Sequence, residues 1–138
     1  MIDTETEEGA RAAERLRDEI VIWLTTVSPD GRPQTSPVWF AWDDETFLVY
    51  SMPRSAKVPN VRANPNVALN LNHDGVGGDI VTIEGTARFD EDAPPVHQHA
   101  SYVEKYRAEI ERLGMEPEPF AAEYSTAIRI TPTRVRLY

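Results

Sequence analysis

The chain of 138 residues has no cysteine. Disulfides, thiolate metal sites, iron–sulfur clusters and thiol nucleophiles are therefore all excluded. No apolar run approaches the roughly 20 residues of a membrane-spanning helix. Positive charge is scarce as well: 14 Lys and Arg stand against 23 Asp and Glu, a formal net charge of −9. Nucleic-acid binding rests on cations that neutralise phosphates, so it is not expected here. There is no repeat of solenoid length and no low-complexity tract. The serines lack the small-residue elbow of a serine hydrolase, and no glycine-rich loop leads into a lysine-serine pair. The opening MIDTETEEGARAAERLRDE is acidic and polar where a secretory signal would be basic and then apolar. A soluble, cytoplasmic protein that avoids membranes is the expectation.

What remains is an ordinary globular composition, 41% hydrophobic and 27% charged, at the size of one domain. The reading is an acidic N-terminal helix over residues 1–19 followed by a single domain over 20–138. Charge is unevenly spread. Residues 1–19 and 90–123 carry the acidic excess, whereas 51–72 contain Arg54, Lys57 and Arg62 and no carboxylate. A small anion would be welcome there although the whole chain repels anions. The acidic segments are expected to lie away from it.

Hydrophobic periodicity predicts mainly strands. Thr6 to Glu19 has helical spacing of Ala10, Ala13 and Leu16. Ile20–Val27 (IVIWLTTV) reads as a buried strand, Ser28-Pro29-Asp30-Gly31 as a turn, and Pro33–Trp42 as the returning strand of a hairpin. Pro37 cannot donate to a ladder, which puts it at an edge or bulge. A strand Phe47–Ser51 follows, then a short helix Arg54–Ala63 with Ser55 as its cap and Pro59 in its first turn. Residues 67–72 alternate as a half-buried strand. Ile80–Phe89 is a long strand in which Gly85 marks a bulge or a close backbone approach. Residues 95–113 are a helix ended by Gly114, Pro117–Tyr124 a second one, and 127–131 and 134–138 two strands around a Thr131-Pro132-Thr133 turn. Strands with short helices at the breaks imply an antiparallel barrel, not a repeated parallel crossover.

The segment YSMPRSAKVPN carries the chemistry: Ser51, Arg54, Ser55, Lys57 and Asn60 bring a cation pair and hydroxyls to one strand end, where a phosphate could be held. An ordinary solvated helix start is the alternative reading of these residues alone. His97 and His99, two apart, point to different sides of a helix, and His73 sits in a loop signal, so a zinc site is not expected. Trp23 and Phe40 read as core or dimer interface; Trp39 and Trp42 read as candidates to wall a pocket beside Pro37. Gly77, Gly78 and Asp79 form either a plain turn or a contact to a bound ligand.

Four pieces taken in order, WLTTVSPDGRPQTSPVWFAWD, YSMPRSAKVPNVRANPNVAL, VTIEGTARF and ITPTRVRLY, resemble the split-barrel, flavin-binding family of the pyridoxamine 5'-phosphate oxidase class, and specifically its branch that uses the deazaflavin coenzyme F420. The resemblance spans Ile20 to Tyr138. It implies a mainly β fold, a six-stranded antiparallel split barrel paired as a homodimer. It also implies that Ser51, Arg54, Ser55 and Lys57 hold the cofactor phosphate, that Pro37, Val38 and Trp39 lie beside the tricyclic ring, and that the Gly78 loop reaches a cofactor bound by the partner subunit. Ser55-Ala56-Lys57 stands where pyridoxamine phosphate oxidases proper have Ser-Arg-Lys, which favours the deazaflavin branch. The implied activity is hydride transfer from reduced coenzyme F420 to an electron-poor small molecule. FMN as cofactor, or a non-catalytic flavin- or deazaflavin-binding protein, are the alternatives. The anionic tail of coenzyme F420 would need further cations, drawn from Arg54, Arg62, Arg129, Arg134 or Arg136.

Overall fold

Seven strands form where the apolar patterning calls for them: β1 (Ile22–Val27), β2 (Pro33–Val38), β3 (Ala41–Trp42), β4 (Phe47–Ser51), β5 (Asn66–Asn70), β6 (Val81–Phe89) and β7 (Thr126–Leu137). In the computed structural model, which describes residues 1–138, they make one sheet in the order β2-β1-β5-β6-β7-β4-β3. Every pairing is antiparallel. The sheet and its short helices are the split-barrel architecture expected. β2 lies at one edge and is largely exposed, so the missing donor of Pro37 is tolerated there.

Two departures offset each other in the strand count, one adding a strand and one removing it, so that the sheet has seven strands where the resemblance implied six. The segment expected as one strand, Pro33–Trp42, breaks at Trp39 and Phe40, and its end becomes the separate two-residue β3. The two closing strands are instead one continuous β7. Its Pro132 does not turn the chain, because it sits opposite Gly85, at the register shift between Glu84 and Gly85. A bulge leaves room for a residue without an amide donor. A β-carbon on Gly85 would come within 2.9 Å of both Ile130 Cγ2 and the Thr131 carbonyl, so bulge and close approach coincide.

β4 explains how two cores share one sheet. All five of its residues are buried. Phe47 and Val49 face a core with Ile22, Leu24, Ile83 and Ile130. Leu48 and Tyr50 face a second core built from α3 (Ala100–Arg112) and α4 (Pro117–Glu123), with Tyr102, Tyr106, Ile110 and Phe120. A strand buried on both faces reads as a continuous apolar run, as FLVYS does.

The helices begin and stop for local reasons. The Thr6 side chain accepts the Gly9 N–H and starts α1 (Glu7–Asp18), whose Ala12 and Leu16 enter the first core. Burying Leu16 fully contributes about 1.5–3 kcal/mol toward docking that otherwise polar helix. α2 covers Lys57–Ala63, shorter than expected; Ser55 does not cap it, and Ala56 stands at the cap position. Pro59 does fall in the first turn. After α3, Gly114 adopts φ 73; its N–H donates to Glu111 O and the Met115 N–H to Ile110 O, the paired bonds of a Schellman ending. The expected helix at 95–113 is divided by a 3-10 turn at Val96–Gln98. No helix is long and apolar enough to cross a membrane.

Candidate functional site

A cavity of about 420 Å³ opens between the end of β2, the end of β4 and the helices α3 and α4. One side is the chain Pro37-Val38-Trp39 as it leaves the sheet. A second side is Tyr50, Ser51 and Met52, with Ser55 and Lys57 at its end. Tyr102, Leu113, Phe120 and Tyr124 form the rest. The lining has one cation and no carboxylate.

Lys57 sets the electrostatics. Its ammonium donates to Ser55 Oγ at 2.8 Å and pairs with no carboxylate; burial holds its pKa below the ordinary lysine range. A half-buried cation without a counter-charge favours an incoming anion. Ser51 is buried and its hydroxyl donates only to its neighbour, the Met52 carbonyl, at 3.0 Å. Asn60 lies behind, where it donates to Thr26 Oγ1 and Gln34 Oε1 and so ties α2 to the first hairpin.

Much of the remaining lining is aromatic. Trp39 stacks on Tyr106 at 4.7 Å and on Phe120 at 5.5 Å, and Phe120 stacks on Tyr124 at 4.3 Å. The resulting row of rings is held from behind by α3. The Phe40 N–H donates to the Tyr106 hydroxyl at 2.9 Å, and Lys105 donates to the Phe40 carbonyl at 3.0 Å. Burial lowers the Lys105 pKa to about 8.

A protein-family model described as pyridoxamine 5'-phosphate oxidase matches residues 9–138. The chain belongs to the pyridoxamine 5'-phosphate oxidase family. Solved structures agree on the fold. An F420 reductase is 28% identical over 89% of this chain and 94% of its own, with a TM-score of 0.67. A putative pyridoxamine 5'-phosphate oxidase from Listeria innocua is 25% identical over 93% and 95%, with a TM-score of 0.68. The haem-storage protein HutZ from Vibrio cholerae, 17% identical over 96% and 95%, shares the fold with a TM-score of 0.68. Membership in the family thus leaves the chemistry to be read from the cavity.

Of the residues singled out in the sequence, the fold brings Pro37, Val38, Trp39, Ser51, Ser55 and Lys57 to one cavity. Arg54 lies exposed beside it and forms no ion pair. Gly78 does not reach this cavity: its N–H donates to the Asp74 carboxylate, in a loop that Arg11 and Arg15 of α1 hold through Asp79. Trp42 is elsewhere too, packed on Phe47 at 4.4 Å. Trp23 is half-buried and donates to Asn72 Oδ1, whereas Phe40 is fully buried. The His99 side chain caps α3 by accepting the Tyr102 N–H.

Two expectations about charge are corrected. The acidic 90–123 segment does not lie apart from the cavity; its Tyr102, Leu113 and Phe120 wall it. The carboxylates of α3 and α4 stay off the lining because both helices turn their aromatic faces inward. Among the arginines offered for an anionic tail, Arg129 is committed to Asp90 at 2.7 Å and Arg136 to Glu84 at 2.6 Å. Arg62 lies over the Phe89 ring at 5.3 Å, in a second cavity of about 330 Å³ that shares Tyr50 and Tyr124 with the first. The contributions of Tyr102, Phe120 and Tyr124 were missed in the sequence, where aromatics at helical spacing read as plain core.

Proposed function

We propose that this protein is an oxidoreductase that binds coenzyme F420 in the cavity between β2, β4 and α3, and passes a hydride from its reduced form to an electron-poor organic molecule. The observation that carries this reading is the make-up of the cavity lining: an unpaired, half-buried Lys57 with Ser51 and Ser55, several aromatic rings, and no carboxylate. A flat ring system that ends in a phosphate matches that lining. Trp39, the first residue beyond the edge strand, has a main-chain N–H available to bond a carbonyl of such a ring. Arg54, which is exposed, forms no ion pair and is next to Ser55 in the chain, is a cation for an anionic tail beyond the phosphate, which coenzyme F420 has and FMN lacks. The likeness to an F420 reductase at 28% identity supports the same choice.

The bound coenzyme would supply the redox chemistry, and the chain's residues orient it. Lys57 and the two serines anchor the charged end, Trp39 and its stacked partners wall the ring, and α4 with Leu113 limits access of water. Such holding converts a bimolecular encounter into a fixed geometry. We further read the chain as one half of a homodimer, for which sedimentation at micromolar concentration should give twice the chain mass.

Titration with coenzyme F420 and FMN side by side, followed by reoxidation of the bound reduced cofactor in a panel of small acceptors, tests the assignment. Tighter binding of coenzyme F420 with turnover is the expected result. Preference for FMN would move the protein to the flavin branch, and tight binding without turnover of any acceptor would make it a carrier.

A further inference from the structure

Of the histidines in the chain, His99 is the one whose side chain starts a helix. It stands at the N-cap position of α3, where its Nδ1 accepts the Tyr102 N–H at 3.2 Å. Ser101 Oγ lies 3.3 Å from the same nitrogen. The first amide groups of a helix have no partner within it, and this one belongs to a residue that is 1% exposed. Serine, threonine and asparagine, the common caps, accept through an oxygen that does not titrate. An imidazole nitrogen accepts only while it carries no proton.

We propose that His99 is a proton-sensitive positioning residue: neutral, it fixes the first turn of α3 and with it the cavity wall that this helix supplies, and protonated in mild acid it lets that turn go. α3 brings Tyr102 to the cavity. One turn further on is Tyr106, whose ring stacks on Trp39. A loosened first turn therefore acts on Tyr102 directly and on Trp39 through Tyr106. The proposal concerns the wall itself; its consequence for coenzyme affinity rests on the reading above.

Protonation works against the helix in three ways. Nδ1 turns from acceptor to donor, with Ser101 Oγ beside it to receive the hydrogen, and the Tyr102 N–H loses its partner. A positive ring also meets the positive end of the helix dipole. Finally, the ring is half-buried, with Tyr50 of β4 edge-on at 6.3 Å and Tyr102 of α3 at 6.0 Å. The charged groups that act on it are Arg129 of β7, which opposes a proton, and Asp43, in the turn before β4, which favours one. Asp43 is itself engaged with the N–H groups of Glu45 and Thr46 and with Arg129. Burial is the largest effect and holds the His99 pKa below the ordinary histidine value. The unfolded chain, which titrates near about 6.5, takes the proton first. The stabilisation from the cap is thus fully present above about pH 6.5 and is lost as pH falls through the lower value of the folded state.

Nuclear magnetic resonance on the ¹⁵N-labelled full chain tests this, with His99→Asn as a cap that takes no proton and His99→Ala as a chain without the cap. In the wild type the His99 ring should titrate below about pH 6.5, with Nδ1 unprotonated above it. Protection of the Tyr102 amide from exchange, corrected for the intrinsic rate at each pH, should drop about five- to tenfold between about pH 6.5 and 5, the worth of one helix cap. The Trp39 indole N–H signal should move along the same curve. His99→Asn should keep its protection and its Trp39 signal over that range, and His99→Ala should show the low protection throughout. The proposal is overturned if the neutral ring carries its proton on Nδ1, if wild type and His99→Asn respond to pH alike, or if His99→Ala protects Tyr102 as the wild type does. Titration with coenzyme F420 adds the link to binding. The ratio of affinities at about pH 7 and about pH 5 should be roughly five- to tenfold larger in the wild type than in His99→Asn, a comparison that cancels titration of the coenzyme itself. If no coenzyme binds while the Tyr102 and Trp39 signals follow His99, the proton-sensitive cap stands and the coenzyme reading falls. If coenzyme binds while the two ratios are equal, the coenzyme reading stands and the control of the cavity by His99 falls.

Discussion

The Tyr106 hydroxyl holds the main chain of Phe40 at the point where the sheet lets it go: it accepts the Phe40 N–H at 2.9 Å and lies 3.2 Å from the Phe40 carbonyl. Its own proton has a shorter path to the Ile20 carbonyl, at 2.6 Å. Lys105 therefore completes the set by donating to Phe40 O. A strand break in the core would otherwise leave a buried N–H and C=O unpaired. Because the ring of Tyr106 also stacks on Trp39, the residues that make the break tolerable set one wall of the cavity.

Tyr106→Phe should accordingly destabilise the chain by about 2–4 kcal/mol, since the Phe40 N–H and the Ile20 carbonyl each lose a partner. Urea unfolding measures it. A change under about 0.5 kcal/mol would show that the break is held by other means.

Lys105 predicts a pH dependence with a definite sign. Its pKa is about 8 in the fold against about 10.4 in an unfolded chain. Between these values the unfolded state binds more protons, so stability should rise as pH increases from about 8 to 10. Below pH 8 the charged form carries its full burial cost. Lys105→Met should flatten this rise; Lys57, shifted in the same direction, leaves a residual slope in both proteins. Denaturant titrations at several pH values give the slopes, and equal slopes in wild type and variant would contradict the assignment.

Lys57 should separate stability from binding. Lys57→Met removes a half-buried charge that has only a hydroxyl partner, so the apo chain should lose no stability. Affinity for coenzyme F420 should fall ten- to a hundredfold, about 1.5–3 kcal/mol for a charge-assisted bond to phosphate. Unchanged affinity by fluorescence titration would move the anion site away from Lys57.

Gly85→Ala places a methyl group within 2.9 Å of the Thr131 carbonyl and Ile130 Cγ2. The carbonyl belongs to the paired strand and has little room to yield, so a loss of about 1–3 kcal/mol is expected. The midpoint of thermal or urea unfolding reports it, and a neutral substitution would mean that β7 shifts freely at Pro132.

Local patterns in the chain were enough to establish most of the strands, though not the break in Pro33–Trp42 or the continuity of β7, and also the edge position of Pro37, the Gly85 bulge and the Gly114 helix end, because each of these rests on near-neighbour sterics or on period-two burial. The residues Ser51, Ser55 and Lys57 were legible too, since they sit within seven positions of one another and their chemistry does not depend on what packs above them. Only the folded chain decided where Pro33–Trp42 breaks, because the bonds that permit the break come from Tyr106 and Lys105, more than sixty residues away. The same holds for the aromatic wall. Tyr102, Phe120 and Tyr124 carry the spacing of an ordinary buried helix face, and whether such a face meets another ring or an open cavity is settled by long-range packing, which periodicity does not encode.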